Sequence, residues 1–189
     1  MRGKLYVLSG PSGVGKGTVR EKVFENPNVN LTYSISMTTR SPRAGEVDGV
    51  HYYFVTKEYF EQAIKNGELL EHAQFVGNYY GTPKKVIDQI LDQGKNVLLE
   101  IEVQGAMQVM EKCPDAITIF MVPPSFDELE KRIRGRRSEP EDIVQQRLNK
   151  ARGEMELRSN YKHVVVNDTV DNASQAIIDI ITGENSNQD

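Results

Sequence analysis

The stretch from Gly10 to Thr18 has the residue types and spacing of a phosphate-binding loop. It matches the pattern Gly-x-x-x-x-Gly-Lys between Gly10 and Lys16. An apolar run, Leu5–Leu8, precedes it, and a helix is predicted from Thr18 to about Phe24. Backbone N–H groups at a helix N-terminus bind anions, and the lysine adds a mobile cation. We therefore predict a nucleotide-phosphate site formed by Gly10, Pro11, Ser12, Gly13, Val14, Gly15, Lys16, Gly17 and Thr18.

The residue after the lysine departs from that pattern. It is usually a Ser or Thr whose hydroxyl binds Mg²⁺, but here it is Gly17, with Thr18 following. Glu100 and Glu102 end an apolar run, and carboxylates at the ends of parallel strands lie near the ligand. We therefore assign no direct metal ligand and keep Thr18 and Glu100 as candidates.

A second polar stretch contains Ser36, Arg40 and Arg43. The planar guanidinium group suits phosphate oxygens, and hydroxyl groups complete such a site. Two arginines on a polar loop are often only solvated. Because no acidic residue follows until Glu46, we interpret these arginines as unpaired and the stretch as an anion site.

A basic segment near residue 134 contains further arginines. Arg134 follows Glu130 by four residues, which favours a salt bridge on one helix face. Arg136 follows Arg132 at the same spacing, and two like charges there make sense if an anion binds between them. We therefore favour Arg136 over Arg134, and add Arg147 on the next helix.

Glu71 lies in an amphipathic run, Leu69–Phe75, where the simplest interpretation is a surface acid. A carboxylate has only hydrogen-bond acceptors, and the guanine base offers two parallel N–H donors. Adenine has no such edge. Glu71 is therefore a candidate for reading guanine.

These residues need elements that position them. Four apolar runs separated by helical patterns predict a parallel sheet with crossover helices and thus an α/β fold. The runs are Leu5–Leu8, Val97–Ile101, Ile117–Val122 and His163–Val166.

Two stretches break this alternation. Residues 34–81 contain short alternating segments around one helix, Tyr59–Lys65, and predict an inserted lobe with a small mixed sheet. Residues 131–152 predict a charged helix, a turn near Pro140 and a second helix. Thr82-Pro83 is expected to cap the following helix, and Gly183 is expected to end the last one.

Composition narrows the class of protein. The chain has 189 residues, a net charge of −4 and one cysteine, Cys113. An acidic balance disfavours nucleic acid and acidic membranes, and one cysteine excludes an internal disulfide. No apolar run reaches membrane-spanning length. We expect one cytoplasmic domain that binds neither nucleic acid nor membrane.

In combination, these motifs resemble guanylate kinases over about residues 4–181. The matching stretches are Leu8–Lys16, Thr38–Glu46, Gly77–Thr82 and Val165–Asp168. The resemblance implies a P-loop kinase fold that transfers a phosphoryl group from ATP to GMP with Mg²⁺. It implies a single domain over residues 1–189, with a core of about 1–33, 83–124 and 160–189. A GMP-binding lobe would span about 34–82, and a lid about 125–159.

The same resemblance assigns roles by position. The ATP site would comprise the phosphate-binding loop and Asn167. The catalytic residues would be Lys16, Arg40, Arg132, Arg136 and Arg147. The GMP site would comprise Ser36, Arg40, Arg43, Tyr52, Glu71, Tyr80, Thr82 and Glu102.

The sequence leaves two alternative functions open. The first is a kinase for another nucleoside monophosphate, which Glu71 and Thr82 disfavour. The second is a non-catalytic binding module, because guanylate-kinase-like domains of scaffold proteins bind peptides. The complete phosphate-binding loop with its Lys16 disfavours the second.

Overall fold

A computed structural model describes residues 1–75, 77–135 and 140–186 and has an α/β architecture. The first half of the chain contains β1 (Leu5–Ser9), α1 (Lys16–Phe24), β2 (Leu31–Tyr33), β3 (Met37–Thr38), β4 (Tyr53–Phe54), α2 (Lys57–Lys65), β5 (Leu69–Phe75), β6 (Asn78–Pro83) and α3 (Lys84–Asp92). The second half contains β7 (Asn96–Glu100), α4 (Val103–Lys112), β8 (Ile117–Val122), α5 (Phe126–Gly135), α6 (Glu141–Glu156), a 3₁₀ helix (Leu157–Asn160), β9 (His163–Val166) and α7 (Val170–Ser186).

The larger sheet confirms the predicted parallel sheet. Its five strands have the order β2-β7-β1-β8-β9, and β8 pairs in parallel with both β1 and β9. Every residue of β1 and β8 is buried. Continuous apolar runs of this kind are typical of parallel strands that are covered on both faces. The additional strand, β2, was not predicted, because its three residues are partly exposed and form no apolar run.

The smaller sheet is mixed, as predicted, and has the order β4-β3-β6-β5. β3 pairs in parallel with β4, whereas β6 runs antiparallel to β3 and β5. Phe60 and Ala63 of α2 form a core with Met37 and Leu69 of the sheet. α2 begins after Thr56, whose hydroxyl accepts a hydrogen bond from the Tyr59 amide.

The chain forms two compact units. The first comprises Met1–Leu5, Thr32–Leu99 and Gln104–Ala116, and the second comprises Tyr6–Leu31, Glu100–Val103 and the chain from Ile117 onward. Among the described residues, no helix has both the length and the apolar character that a membrane span requires.

Two predicted helix ends differ from the structure. Of the predicted cap Thr82-Pro83, Pro83 occupies the N-cap of α3, and no side chain caps that helix. The Thr82 hydroxyl instead donates a hydrogen bond to Glu71. The last helix continues through Gly183 to Ser186. A glycine ends a helix when it adopts the left-handed conformation, and Gly183 has no positive φ.

The core beneath the smaller sheet predicts a large effect of Phe60→Ala. Phe60 is fully buried, and its ring stacks on Tyr79 at 5.2 Å between centroids. We expect the free energy of unfolding to fall by about 3–5 kcal/mol, because the substitution leaves a cavity. Urea unfolding measures the change. The neighbouring Tyr59→Ala is the control, because Tyr59 is 56% exposed, and it should change stability by less than about 1 kcal/mol. Equal effects of the two substitutions would contradict this packing.

Candidate functional site

The predicted phosphate-binding loop connects β1 to α1 in the second unit, and α1 begins at Lys16. Gly15 occupies its N-cap with a φ of 99°, in the left-handed region. A Cβ atom at Gly15 would lie 2.7 Å from the Asn167 side-chain nitrogen, and one at Gly10 would lie 2.5 Å from the Met121 carbonyl oxygen. The loop therefore packs directly on its neighbours, and larger residues do not fit at these positions.

The Lys16 ammonium lies over its own loop. Its Nζ donates hydrogen bonds to the carbonyl oxygens of Gly10, at 2.6 Å, and Pro11, at 3.3 Å. Burial lowers the pKa of Lys16, while the charges of Glu100, Glu154 and Glu102 oppose that shift. The nearby carboxylates favour the ammonium form, which is the form that binds a phosphate.

Arg132 and Asn167 hold one side of the loop. Arg132 donates to the carbonyl oxygens of Val14, at 3.2 Å, and Asn167, at 3.1 Å, and the buried Asn167 side chain donates to Val14 at 2.7 Å. These residues border a cavity of about 220 Å³ that Gly15 and Thr18 also line. The structure thus places the predicted ATP-site residue Asn167 and the predicted catalytic residue Arg132 at the loop.

The other predicted arginines of this unit have different surroundings. Arg147 on α6 donates to the Ser12 hydroxyl at 3.1 Å. Arg134 pairs with Glu130, as expected, and also with Glu141. Arg136 lies outside the described residues, so its predicted role stays a prediction.

Two acids at the end of β7 and just after it are paired with cations. Glu100 binds Arg20 at 3.1 Å, and its other carboxylate oxygen lies 3.7 Å from where a Cβ of Gly17 would be. Glu102 binds Lys150 at 3.0 Å.

Arg40, in the first unit, is paired, so the prediction that it is an unpaired cation was wrong. Both of its terminal nitrogens donate to Glu46 at 2.9 Å. Glu46 also accepts the Arg43 backbone N–H at 2.7 Å. These hydrogen bonds, first that of Arg40, lower the pKa of Glu46 to about 2. The paired carboxylate therefore supports this loop above its unfolded-state pKa, and the support is lost only as the pH falls towards 2.

Aromatic rings surround the same arginine. The Arg40 guanidinium lies 5.4 Å from the centre of the Tyr52 ring, and Tyr52 meets Tyr80 edge to face at 6.2 Å. Ser36 precedes β3, and its carbonyl oxygen accepts the Tyr53 amide. Arg43 is exposed. The predicted phosphate-binding residues Arg40, Tyr52 and Tyr80 are thus brought together.

Glu71 and Thr82 form a second cluster in this unit. Thr82 is fully buried, Glu71 is 5% exposed, and the Thr82 hydroxyl donates to Glu71 at 2.6 Å. Tyr80 and Thr82 are two residues apart on β6, so both side chains project from the same face of the sheet. The carboxylate is therefore on the face that carries the Arg40 cluster.

Comparisons with known proteins identify the family of the chain. The sequence profile of the family "Guanylate kinase" matches residues 2–184. A guanylate kinase of Listeria monocytogenes is 55% identical over 97% of this chain and 89% of its own length. One of Lactococcus lactis is 54% identical over the same shares. The crystal structure of a guanylate kinase from Anaplasma phagocytophilum superposes with a TM-score of 0.76 at 36% identity, covering 97% of this chain and 86% of that one.

The chain belongs to the guanylate kinase family. The family assignment agrees with the resemblance read from the sequence and with the α/β fold. Sequence reasoning missed the pairing of Glu46 with Arg40. Their spacing of six residues matches no regular helix or strand pairing, so only the fold of the loop reveals the contact.

The residues at the loop fit a Mg²⁺ ion carried by the nucleotide. Among the residues that the structure describes, no group of three or more His, Cys, Asp or Glu side chains could hold a metal. Position 17 has no hydroxyl, but an oxygen of Glu100 lies beside it. Mg²⁺ commonly binds through one or two carboxylates, substrate phosphates and water, which is compatible with this arrangement.

The contact between Glu46 and Arg40 predicts weaker GMP binding in Glu46→Gln. An amide cannot form the ionic fork, so Arg40 loses its fixed orientation. We expect the KM for GMP to rise about threefold to tenfold, with kcat and the KM for ATP changed less than about twofold. Steady-state kinetics measures all three. Glu58→Gln, an exposed glutamate at the start of α2, is the matched control, and equal kinetics in the two variants would disprove the role of Glu46.

Proposed function

We propose that the chain transfers the γ-phosphoryl group of ATP to GMP and releases ADP and GDP. The observation that carries this proposal is the pairing of two features in one chain. The first is a phosphate-binding loop with a lysine on its carbonyl oxygens, and the second is a buried carboxylate that receives a hydroxyl hydrogen bond. Family membership supports the same reaction.

The loop of the second unit binds ATP in this proposal. The amides at the start of α1 face the phosphates, and Lys16 exchanges its bonds to Gly10 and Pro11 for phosphate oxygens. Asn167 borders the nucleotide. Arg132, Arg136 and Arg147 neutralise charge on the transferring group, with Lys16. Mg²⁺, held on the ATP phosphates near Glu100 and Thr18, supplies further charge neutralisation when bound.

The first unit binds GMP. Arg40, Arg43, Ser36, Tyr52 and Tyr80 bind its phosphate through charge-assisted hydrogen bonds. Glu71 and Thr82 bind the base, and Glu71 accepts hydrogen bonds from the two N–H groups that only guanine presents. The family resemblance adds Glu102, which lies in the second unit.

No protein nucleophile takes part. A phosphate oxygen of GMP attacks the γ-phosphorus in line, and the bond from that phosphorus to the β-phosphate oxygen breaks. Catalysis then consists of positioning and charge neutralisation. We propose that the lobe of about 34–82 and the lid of about 125–159 close to exclude water, which would otherwise act as the acceptor. We also place this reaction in the cytoplasm, with ATP and GMP as its small-molecule partners.

A substrate panel tests the proposed reaction against its alternatives. ADP release is measured with ATP and Mg²⁺ and one of GMP, dGMP, AMP or dTMP. We expect GMP to be used at least about 10²-fold more efficiently than AMP, because adenine does not present the two N–H donors that guanine offers to Glu71. Equal use of AMP would favour a different nucleoside monophosphate kinase, and no turnover would favour a binding module.

Lys16→Met tests the loop. The variant keeps the length of the side chain but removes its charge, so kcat should fall by at least about 10²-fold with the fold intact. Circular dichroism checks the fold. Lys22→Met on the same helix is the control, because Lys22 is half-exposed and pairs with Glu25. A Lys16→Met rate near that of the wild type would exclude the loop as the ATP site.

Glu71→Ala tests the proposed role of Glu71 in binding the guanine base. Loss of hydrogen bonds to a charged group costs about 1.5–3 kcal/mol, so the KM for GMP should rise about 10- to 100-fold. The KM for ATP should stay within about twofold. Titration of both nucleotides by calorimetry checks the result. Equal weakening of ATP and GMP would indicate a general loss of structure instead.

A further inference from the structure

α4 supports the strand that carries Glu71. β5 is an edge strand of the smaller sheet, so one side of its backbone lacks a neighbouring strand. The Gln108 side chain accepts the His72 N–H at 3.1 Å and donates to the His72 carbonyl oxygen at 2.8 Å. The Lys112 ammonium donates to the carbonyl oxygens of Leu69, at 3.1 Å, and Leu70, at 2.9 Å. The helix thus satisfies backbone groups on both sides of Glu71.

β5 is irregular at the same place. Leu69 pairs with Pro83 and His72 with Gly81, so β5 contains one residue more than β6 between these pairs. A bulge of this kind changes the direction of a side chain and leaves backbone groups unpaired. Glu71 lies within it. Gln108 and Lys112 therefore bind the part of the strand whose regular pairing is interrupted.

Gly105 is the third residue of this helix face, since residues 105, 108 and 112 lie three and four positions apart. A Cβ atom at Gly105 would lie 2.5 Å from Glu71 Oε2, 3.1 Å from its Cδ and 3.4 Å from its Cγ. The Glu71 carboxylate therefore fills the space that a side chain at position 105 would need. Thr82 donates to the opposite oxygen, Oε1.

We propose that Gly105 is a specificity-determining position and that Gln108 and Lys112 are positioning residues for Glu71. The absence of a side chain at 105 lets the carboxylate lie against α4 with its acceptors directed at the base, while the two polar side chains fix the strand. This inference rests on the proposed role of Glu71 in binding GMP, and it names residues that act through Glu71.

Gly105→Ala tests the inference. The side chain of Glu71 ends in a flexible carboxylate, so it yields to the new methyl group and moves away from Thr82. We expect the KM for GMP to rise about 10- to 100-fold. The KM for ATP and kcat at saturating GMP should change less than about threefold, and the preference for GMP over AMP should fall.

Gly153→Ala is the matched control. Gly153 also lies inside a helix, α6, and a Cβ atom there would meet nothing within 4 Å. Both substitutions raise helix propensity, so an effect of propensity alone would appear in both variants. Only Gly105→Ala should change the KM for GMP. A wild-type KM and a wild-type GMP preference in Gly105→Ala overturn the inference.

Two further variants keep the test decisive. In the Glu71→Asp background the carboxylate ends one methylene group earlier, so adding Gly105→Ala should raise the KM for GMP less than about threefold. An undiminished effect there would overturn the inference.

Gln108→Met, which loses both hydrogen bonds to His72, should raise the KM for GMP about threefold to tenfold. If Gly105→Ala does not fold, this variant decides, and an unchanged KM counts against the proposal.

The same experiments separate this inference from the proposed function. If Glu71→Ala leaves the KM for GMP unchanged, the proposed role of Glu71 fails, and the inference fails with it. If Glu71→Ala raises that KM but Gly105→Ala does not, only the inference fails.

Discussion

The hydrogen bonds between the Lys16 ammonium and the carbonyl oxygens of its own loop are the interactions on which the phosphate site depends. A part-buried cation without partners would be costly, and these carbonyl oxygens accept the hydrogen bonds of the ammonium beside the amides of α1. They also give the cation partners that a phosphate can replace. The tight approach of Gly15 to Asn167 explains why the loop keeps this shape. The loop therefore supplies the hydrogen-bond acceptors that one part-buried cation needs.

The first unit contains a buried anion, the Glu71 carboxylate. It is 5% exposed and therefore needs hydrogen-bond donors, of which Thr82 supplies one. Arg40 and Glu46 form an ion pair at a more exposed site, where each group fixes the orientation of the other. In both clusters a charged side chain is held in one orientation, Glu71 by a hydroxyl donor and Arg40 by a carboxylate. Such preorganisation reduces the cost of binding a ligand.

The sequence was most informative where function depends on local spacing. The loop before Lys16, the apolar strands β1 and β8 and the mixed character of the lobe follow from patterns of a few residues. Contacts that depend on irregular loop backbone, or on how distant segments meet, were not predictable. The pairing of Arg40 with Glu46 arises within an irregular loop, and Gly105 meets Glu71 from 34 positions along the chain. No local pattern marks the bulge in β5, because its residues read as an ordinary amphipathic strand.

In the proposed reaction one phosphoryl group passes directly from ATP to GMP. Phosphorus NMR of the protein with ATP, Mg²⁺ and GMP follows this transfer, because it resolves each phosphate of substrates and products. We expect the γ-signal of ATP to be lost only when GMP is present and the phosphate signals of GDP to grow at the same rate. Release of inorganic phosphate with GMP unchanged would contradict it, because water would then be the acceptor.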